Sequence, residues 1–248
     1  MLDKLRKELR KVADPKKVEV YKRFFKTGKG EYGYGDVFLG ITVPNTRKIA
    51  VQFRNLPFPD VKKLLQSKIH EERLLALLLL VHNFDKGDEE TKEKIYNFYL
   101  ANTNYINNWD LVDSSAHQIV GAYLFNRHSG LSRIDSGVAH VPQNDVLFKL
   151  AKSKTLWERR IAIIATQHFI RQGRFAETLQ IAEMLLTDPH DLIHKAVGWM
   201  MREVGKKDQK VEEAFLKKHY RKMPRTMLRY AIERFPKPLM TAYLKGTI

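Results

Sequence analysis

The sequence predicts an all-α protein, an α-solenoid of stacked antiparallel helix pairs with a concave basic face. Three observations carry that expectation. Apolar residues recur at helical spacing along almost the whole chain, and strand-like alternation is nearly absent. Prolines punctuate the periodic segments rather than interrupt them, so Pro15, Pro44, Pro57, Pro189, Pro224 and Pro236 read as helix-start or turn markers. Several segments also resemble one another: Ala162, Ala196 and Ala231 recur at about 35 residues, and Ala76 lies roughly two and a half such steps before Ala162. A period of that size means helix pairs stacked one on the next. The 248 residues suit a single repeat domain spanning 1–248. About a dozen helices of ordinary length fit within it.

Taken along the chain, the segment from Lys4 to Lys29 is crowded with basic residues and has no apolar stretch of a signal peptide. Residues 26–36 follow as a basic loop rich in Gly and Tyr, without the Gly-Lys-Ser/Thr closure of a phosphate loop. It reads equally as a flexible connector or as a loop that contacts a nucleic-acid backbone with aromatic tips. The run Leu74 to Val81 is the longest apolar stretch; it is too short to span a bilayer and reads as a buried helix. The stretch from Asp85 to Asp113 leans acidic. Residues 127–144, with Ser, Gly and His, read as an inserted loop. The repeat-like helices then carry Arg159-Arg160-Ile161-Ala162, His194-Lys195-Ala196-Val197 and Leu228-Arg229-Tyr230-Ala231, comparable with Glu72-Arg73-Leu74-Leu75-Ala76 earlier. A small Ala lets neighbouring helices approach, and the Arg or Lys before it would line one surface repeat after repeat. Lys206 to Lys237 is again basic.

The formal net charge is +16, concentrated towards the two ends. Such an imbalance argues for a polyanionic partner. Nucleic acid is the favoured reading, ahead of solvated helix faces and of an anionic membrane. The chain has no Cys, which removes disulfides, thiol nucleophiles and Cys-based metal sites. A soluble, cytoplasmic monomer without a cofactor is expected, and no membrane partner.

The residues that could do chemistry are few. The His residues show no metal-ligand spacing, so no metal is expected. Ser114 and Ser115 lack the glycines of a nucleophile elbow. His117, one turn beyond Asp113, reads as a polar packing residue. Trp109 and Asp113 are four positions apart and so share a helix face. Alone, the pair reads as a core indole and a capping carboxylate. Beside the basic repeat helices, it reads also as an aromatic face and a negative charge meeting a cation. Trp199 follows Lys195 by four positions and shares that basic face, and Trp157 precedes Arg160 by three.

Four pieces occur in order: Phe38-Leu39-Gly40-Ile41-x-x-Pro44, Trp109-Asp110-x-x-Asp113, Leu156-Trp157-x-x-Arg160 and Lys195-Ala196-x-Gly198-Trp199-x-x-Arg202-Glu203. Together they resemble the AlkD-type DNA alkylation repair proteins over roughly residues 18–235. That family consists of HEAT-like repeat DNA glycosylases, hydrolases of base excision repair that remove N3- and N7-alkylated purines from duplex DNA. The resemblance implies duplex DNA as partner and no cofactor. It carries the catalytic aspartate onto Asp113 and the two active-site tryptophans onto Trp109 and Trp199. The DNA-contacting arginine falls on Arg160, with Lys195 and Arg202 as further backbone contacts. The family's tyrosine near the first helices is Phe24 here, and the loops at 26–36 and 127–144 look longer than in well-known members.

The chemistry suits these residues independently. Alkylation of N3 or N7 gives a cationic base that leaves without an acid, so what remains is to stabilise an oxocarbenium-like sugar. One carboxylate does that electrostatically and orients water, where ordinary glycoside hydrolysis employs two. Two alternatives stay open: a non-catalytic binder of branched, bent or damaged DNA on the same fold, and a helical-repeat scaffold for an acidic protein.

Overall fold

The computed structural model describes residues 1–131 and 145–248, in two compact units, Met1–Ser115 and Ala116–Ile248. The described residues are all-α; their one strand-like pairing is a parallel bridge between Val37 and Ile69. The first unit holds α1 (Leu2–Lys11), α2 (Pro15–Phe24), α3 (Val43–Gln52), α4 (Phe58–Leu65), α5 (His70–Lys86), α6 (Glu89–Ala101) and α7 (Trp109–Asp113). The second opens with a π-helical turn, His117–Gly121, that runs into α8 (Ala122–Leu131). It continues with α9 (Asp145–Ala151), α10 (Leu156–Arg171), α11 (Ala176–Met184), α12 (Asp191–Lys207), α13 (Gln209–His219), α14 (Arg225–Ala231) and α15 (Lys237–Lys245).

All six singled-out prolines stand at helix starts. Pro15 is the first residue of α2 and Pro44 the second of α3, while Pro57, Pro224 and Pro236 are N-caps and Pro189 lies just before the cap of α12. Their missing N–H costs nothing there. The apolar run forms the centre of α5, and Leu75, Leu77, Leu79 and Leu80 are fully buried among α3, α4, α6 and α7. In the second unit α12 packs against α10 on one side and α14 on the other. Gly198 sets the second contact, because a Cβ there would stand 2.4 Å from the Met227 carbonyl oxygen.

The repeat is visible as a recurring turn. Ser67, Ser153 and Asp188 each accept a hydrogen bond through the side chain from the backbone N–H two residues on. The carbonyl of the same residue accepts from Arg73, Arg159 and His194, each six residues later in the following helix. The register is therefore 35 residues from Arg159 to His194, which makes Val197, not Ala196, the counterpart of Ala162.

Of the two expected loops, one is internally hydrogen-bonded and the other begins as helix. Residues 26–36 are not a loose connector: Gly33 N–H donates to the Lys26 carbonyl at 2.9 Å, Asp36 N–H donates to the Gly33 carbonyl at 3.1 Å, and the Glu31 carboxylate accepts from Gly28 N–H at 2.7 Å. Of the inserted loop at 127–144, residues up to Leu131 belong to α8, and the remainder lies outside the described residues. No helix among the described residues is long and apolar enough to cross a membrane.

Candidate active site

In the first unit, α7 carries Trp109 as its first residue and Asp113 as its last, one turn apart and both half-buried. The helix is five residues long, and its cap is not an aspartate: the Asn108 side chain accepts from Trp109 N–H at 2.8 Å. Its base is fixed by the buried hydroxyl of Tyr99, 2.9 Å from Ser115 Oγ, which in turn donates to the Leu111 carbonyl at 2.6 Å. Burial pushes the Tyr99 phenol well above its usual range, and the charge of Asp113 adds to that.

The Trp109 ring stacks on Phe25 at 5.4 Å between centroids, and Phe24 meets its edge at 5.6 Å. Phe24 is 59 % exposed, although a large apolar ring is costly to leave in water. An exposed phenyl leaning on a half-buried indole forms an aromatic surface that a sugar or a base face could cover.

Beneath it lies a buried ionic cluster. His70 opens α5 and is only 2 % exposed. Its Nδ1 is 3.1 Å from Asp36 Oδ2 and its Nε2 is 2.7 Å from Asp110 Oδ2. Arg73 donates to Asp36 Oδ1 at 2.7 Å. Burial alone would lower the imidazole, but Asp110 and then Asp36 override it, and His70 is pushed up to about 9. Burial would likewise raise the Asp36 carboxyl; His70 and Arg73 hold it below its ordinary value. Next on the helix, the Glu71 carboxylate accepts from the N–H groups of Leu39, Gly40 and Ile41 at 2.9–3.1 Å. That accounts for Phe38-Leu39-Gly40-Ile41: Gly40 has φ +79, and a Cβ there would strike the Asp14 carbonyl.

In the second unit, α12 carries Lys195, Trp199 and Arg202. The Trp199 indole N–H donates to Glu203 Oε1 at 3.0 Å, and Lys206 reaches the same oxygen at 2.6 Å. Arg202 pairs with Glu233, and Lys195 pairs with Asp191 at 2.6 Å. Arg160, on α10, is 4 % exposed, and its guanidinium donates to the Leu192 carbonyl in the first turn of α12. The structure thus groups Trp109 with Asp113, and Arg160 with the helix of Lys195, Trp199 and Arg202. His117 is buried in the π-helical turn.

Counted from their first residues, five helices share a relation that the motifs do not state. The helices α5, α7, α10, α12 and α14 begin at residues 70, 109, 156, 191 and 225. Their fifth positions are Leu74, Asp113, Arg160, Lys195 and Arg229. Asp113 is the carboxylate in an otherwise cationic series from α7 onward, and Arg229 is its exposed member. Sequence reasoning places Arg229 and Arg73 only in the repeated basic series and passes over the His70 cluster as such. The available signal is His70-Glu71-Glu72-Arg73, four polar residues directly before a buried apolar run, all four of which are themselves buried. Buried charges demand partners.

A family model described as DNA alkylation repair enzyme matches residues 5–235. A solved structure, described as a predicted DNA alkylation repair enzyme from Enterococcus faecalis, shares the fold with a TM-score of 0.67. That likeness covers 91 % of this chain and 97 % of that one at 16 % identity. No curated protein matches the chain significantly. The family pattern spans both units almost end to end, and this protein belongs to the DNA alkylation repair enzyme family.

Proposed function

We propose that this member of the alkylation repair family is a DNA glycosylase that excises cationic N3- and N7-alkylated purines from duplex DNA. The observation that carries the reading is α7. It holds an indole and a carboxylate one turn apart, at a repeat position that three later helices fill with Arg160, Lys195 and Arg229. An indole beside a carboxylate suits a ligand with a positive centre, and a formal net charge of +16 suits a polyanion; duplex DNA bearing an alkylated purine is both.

In the proposed reaction the bond from C1′ to the base nitrogen breaks, and its electron pair neutralises the charge on the base. The sugar becomes oxocarbenium-like. Asp113 stabilises that charge and orients a water whose oxygen bonds to C1′, leaving an abasic site, the free base and one proton. Trp109 and Trp199 hold the lesion nucleotide, each by cation–π contact worth about 0.5–2 kcal/mol. Lys195 and Arg202 serve the phosphate backbone in this reading, buried Arg160 acts through its hold on the first turn of α12, and no cofactor takes part.

The test is release of free base from duplex DNA carrying N7-methylguanine. The wild type should release it, and a folded Asp113→Asn variant should lose about 10²–10³ in kcat while still binding the duplex. Tight, salt-sensitive binding with no release by the wild type would overturn the enzyme claim for this lesion. The protein would then be a binder of damaged or distorted DNA.

A further inference from the structure

We propose that His70 is the positioning residue of this site, a buried imidazolium that holds both the backbone and the ring of Trp109 in one orientation. The inference rests on the reading that Trp109 meets the lesion nucleotide, but its geometry stands apart from that chemistry. Both ring nitrogens face carboxylate oxygens, Asp36 at 3.1 Å and Asp110 at 2.7 Å. A neutral imidazole has one N–H, so one of these contacts would set a lone pair against a carboxylate. With both carboxylates ionised, only the doubly protonated ring satisfies both.

Charge counting agrees. The groups facing the ring are Asp36 from the 26–36 loop, Asp110 from α7 and Arg73 on its own helix, whose Nη2 lies 3.5 Å from Nδ1. With His70 protonated the four charges cancel. Without that proton, a net negative charge would be buried, which proteins avoid.

The tethers converge on Trp109 from both sides along the chain. Asp110, which follows it, is held by His70. Asn108, which precedes it, donates from Nδ2 to Asp36 at 3.3 Å and caps Trp109 N–H through Oδ1. The ring is referenced to the same group: Trp109 stacks on Phe25, Phe25 stacks on Phe38 at 5.1 Å, and both phenyls lie on the imidazole at 4.9 and 4.7 Å. His70 is buried beneath these rings and cannot reach a substrate, so its action on the lesion passes through Trp109.

The experiment labels the full-length protein with 5-fluorotryptophan and assigns the Trp109 ¹⁹F resonance by Trp109→Phe. In the wild type that resonance should move with a midpoint near 9, where His70 loses its proton. In His70→Gln it should be displaced or broadened at every pH and show no such midpoint, with the Trp157 and Trp199 signals unmoved as the control for folding. Should His70→Gln fail to fold, Asp110→Asn keeps the shape of the cluster and should lower the midpoint by at least about one unit. A Trp109 signal with the same position and pH profile in His70→Gln, or a midpoint untouched by Asp110→Asn, overturns the proposal.

On N7-methylguanine duplex, folded His70→Gln should lose about tenfold or more in kcat, with affinity for undamaged duplex unchanged. An unchanged kcat also overturns the positioning role. Absence of base release by the wild type overturns the glycosylase reading instead, and the ¹⁹F measurements still decide the inference.

Discussion

Two buried side chains keep protonation states they would not keep in water. His70 stays charged to about 9 because two carboxylates share it, against burial. Glu212 on α13 stays neutral to about 8, chiefly because it is buried and secondarily because Glu213 is near, with Arg202 opposing. Its Oε1 has no hydrogen bond among the described residues, and its Oε2 fills the space that a side chain on Gly205 would need. In both cases the folded state binds a proton that the unfolded chain has released. For Glu212 the window runs from 4.5 to about 8, and for His70 from 6.5 to about 9. Stability must therefore fall as pH rises through those windows. For His70 the contribution is complete below 6.5 and gone above about 9. We predict that the urea midpoint declines between pH 4.5 and about 9. Glu212→Gln should remove the part due to Glu212, making the variant more stable than wild type at about pH 9 by several kcal/mol. A variant that unfolds earlier than wild type at that pH would refute the assignment of Glu212 as a buried neutral acid.

At the scale of elements, Gly198 is where α12 meets α14. An added methyl would stand 2.4 Å from the Met227 carbonyl oxygen and 2.5 Å from Tyr230 Cβ, and backbone cannot yield as a flexible side chain can. Gly198→Ala should push the two helices apart, costing about 1–3 kcal/mol by urea denaturation and disturbing the neighbouring Trp199. A midpoint equal to wild type would mean that the helices slide without cost. This contact is half legible in the sequence, where the recurring small residue marks a close approach but the register is one position out. Helix starts are plain in the sequence, because proline acts locally and stands where it must. The short α7 reads as a face but not as a five-residue helix, since the helical period continues through the π-helical turn at His117–Gly121 and conceals the break. Residues 127–131 read as loop from their Ser and Gly, yet they extend α8. The His70 cluster is illegible for a different reason: its carboxylates lie 34 and 40 residues away, and pairings at that separation leave no period.

Across the whole molecule charge dominates, +16 over 248 residues. Phosphates are blind to the base they carry, so contacts to them should bind damaged and undamaged duplex alike. Each contact releases condensed counterions and steepens the fall of affinity with salt by about 0.9 in a double-logarithmic plot. In the proposed reaction Trp109 and Asp113 act on a base and its sugar and release none. Lesion recognition should then raise affinity without altering the salt slope. We predict parallel lines for N7-methylguanine and undamaged duplex, with affinity falling about 10³-fold or more between roughly 50 and 200 mM salt. Arg229→Gln, at the exposed member of the cationic series, should flatten both lines by about 0.9 and leave their separation unchanged. Trp109→Ala should bring the lines together without flattening either. Binding that barely responds to salt would mean that the excess charge serves solubility. Lines that converge on Arg229→Gln would place that arginine at the lesion rather than on the backbone.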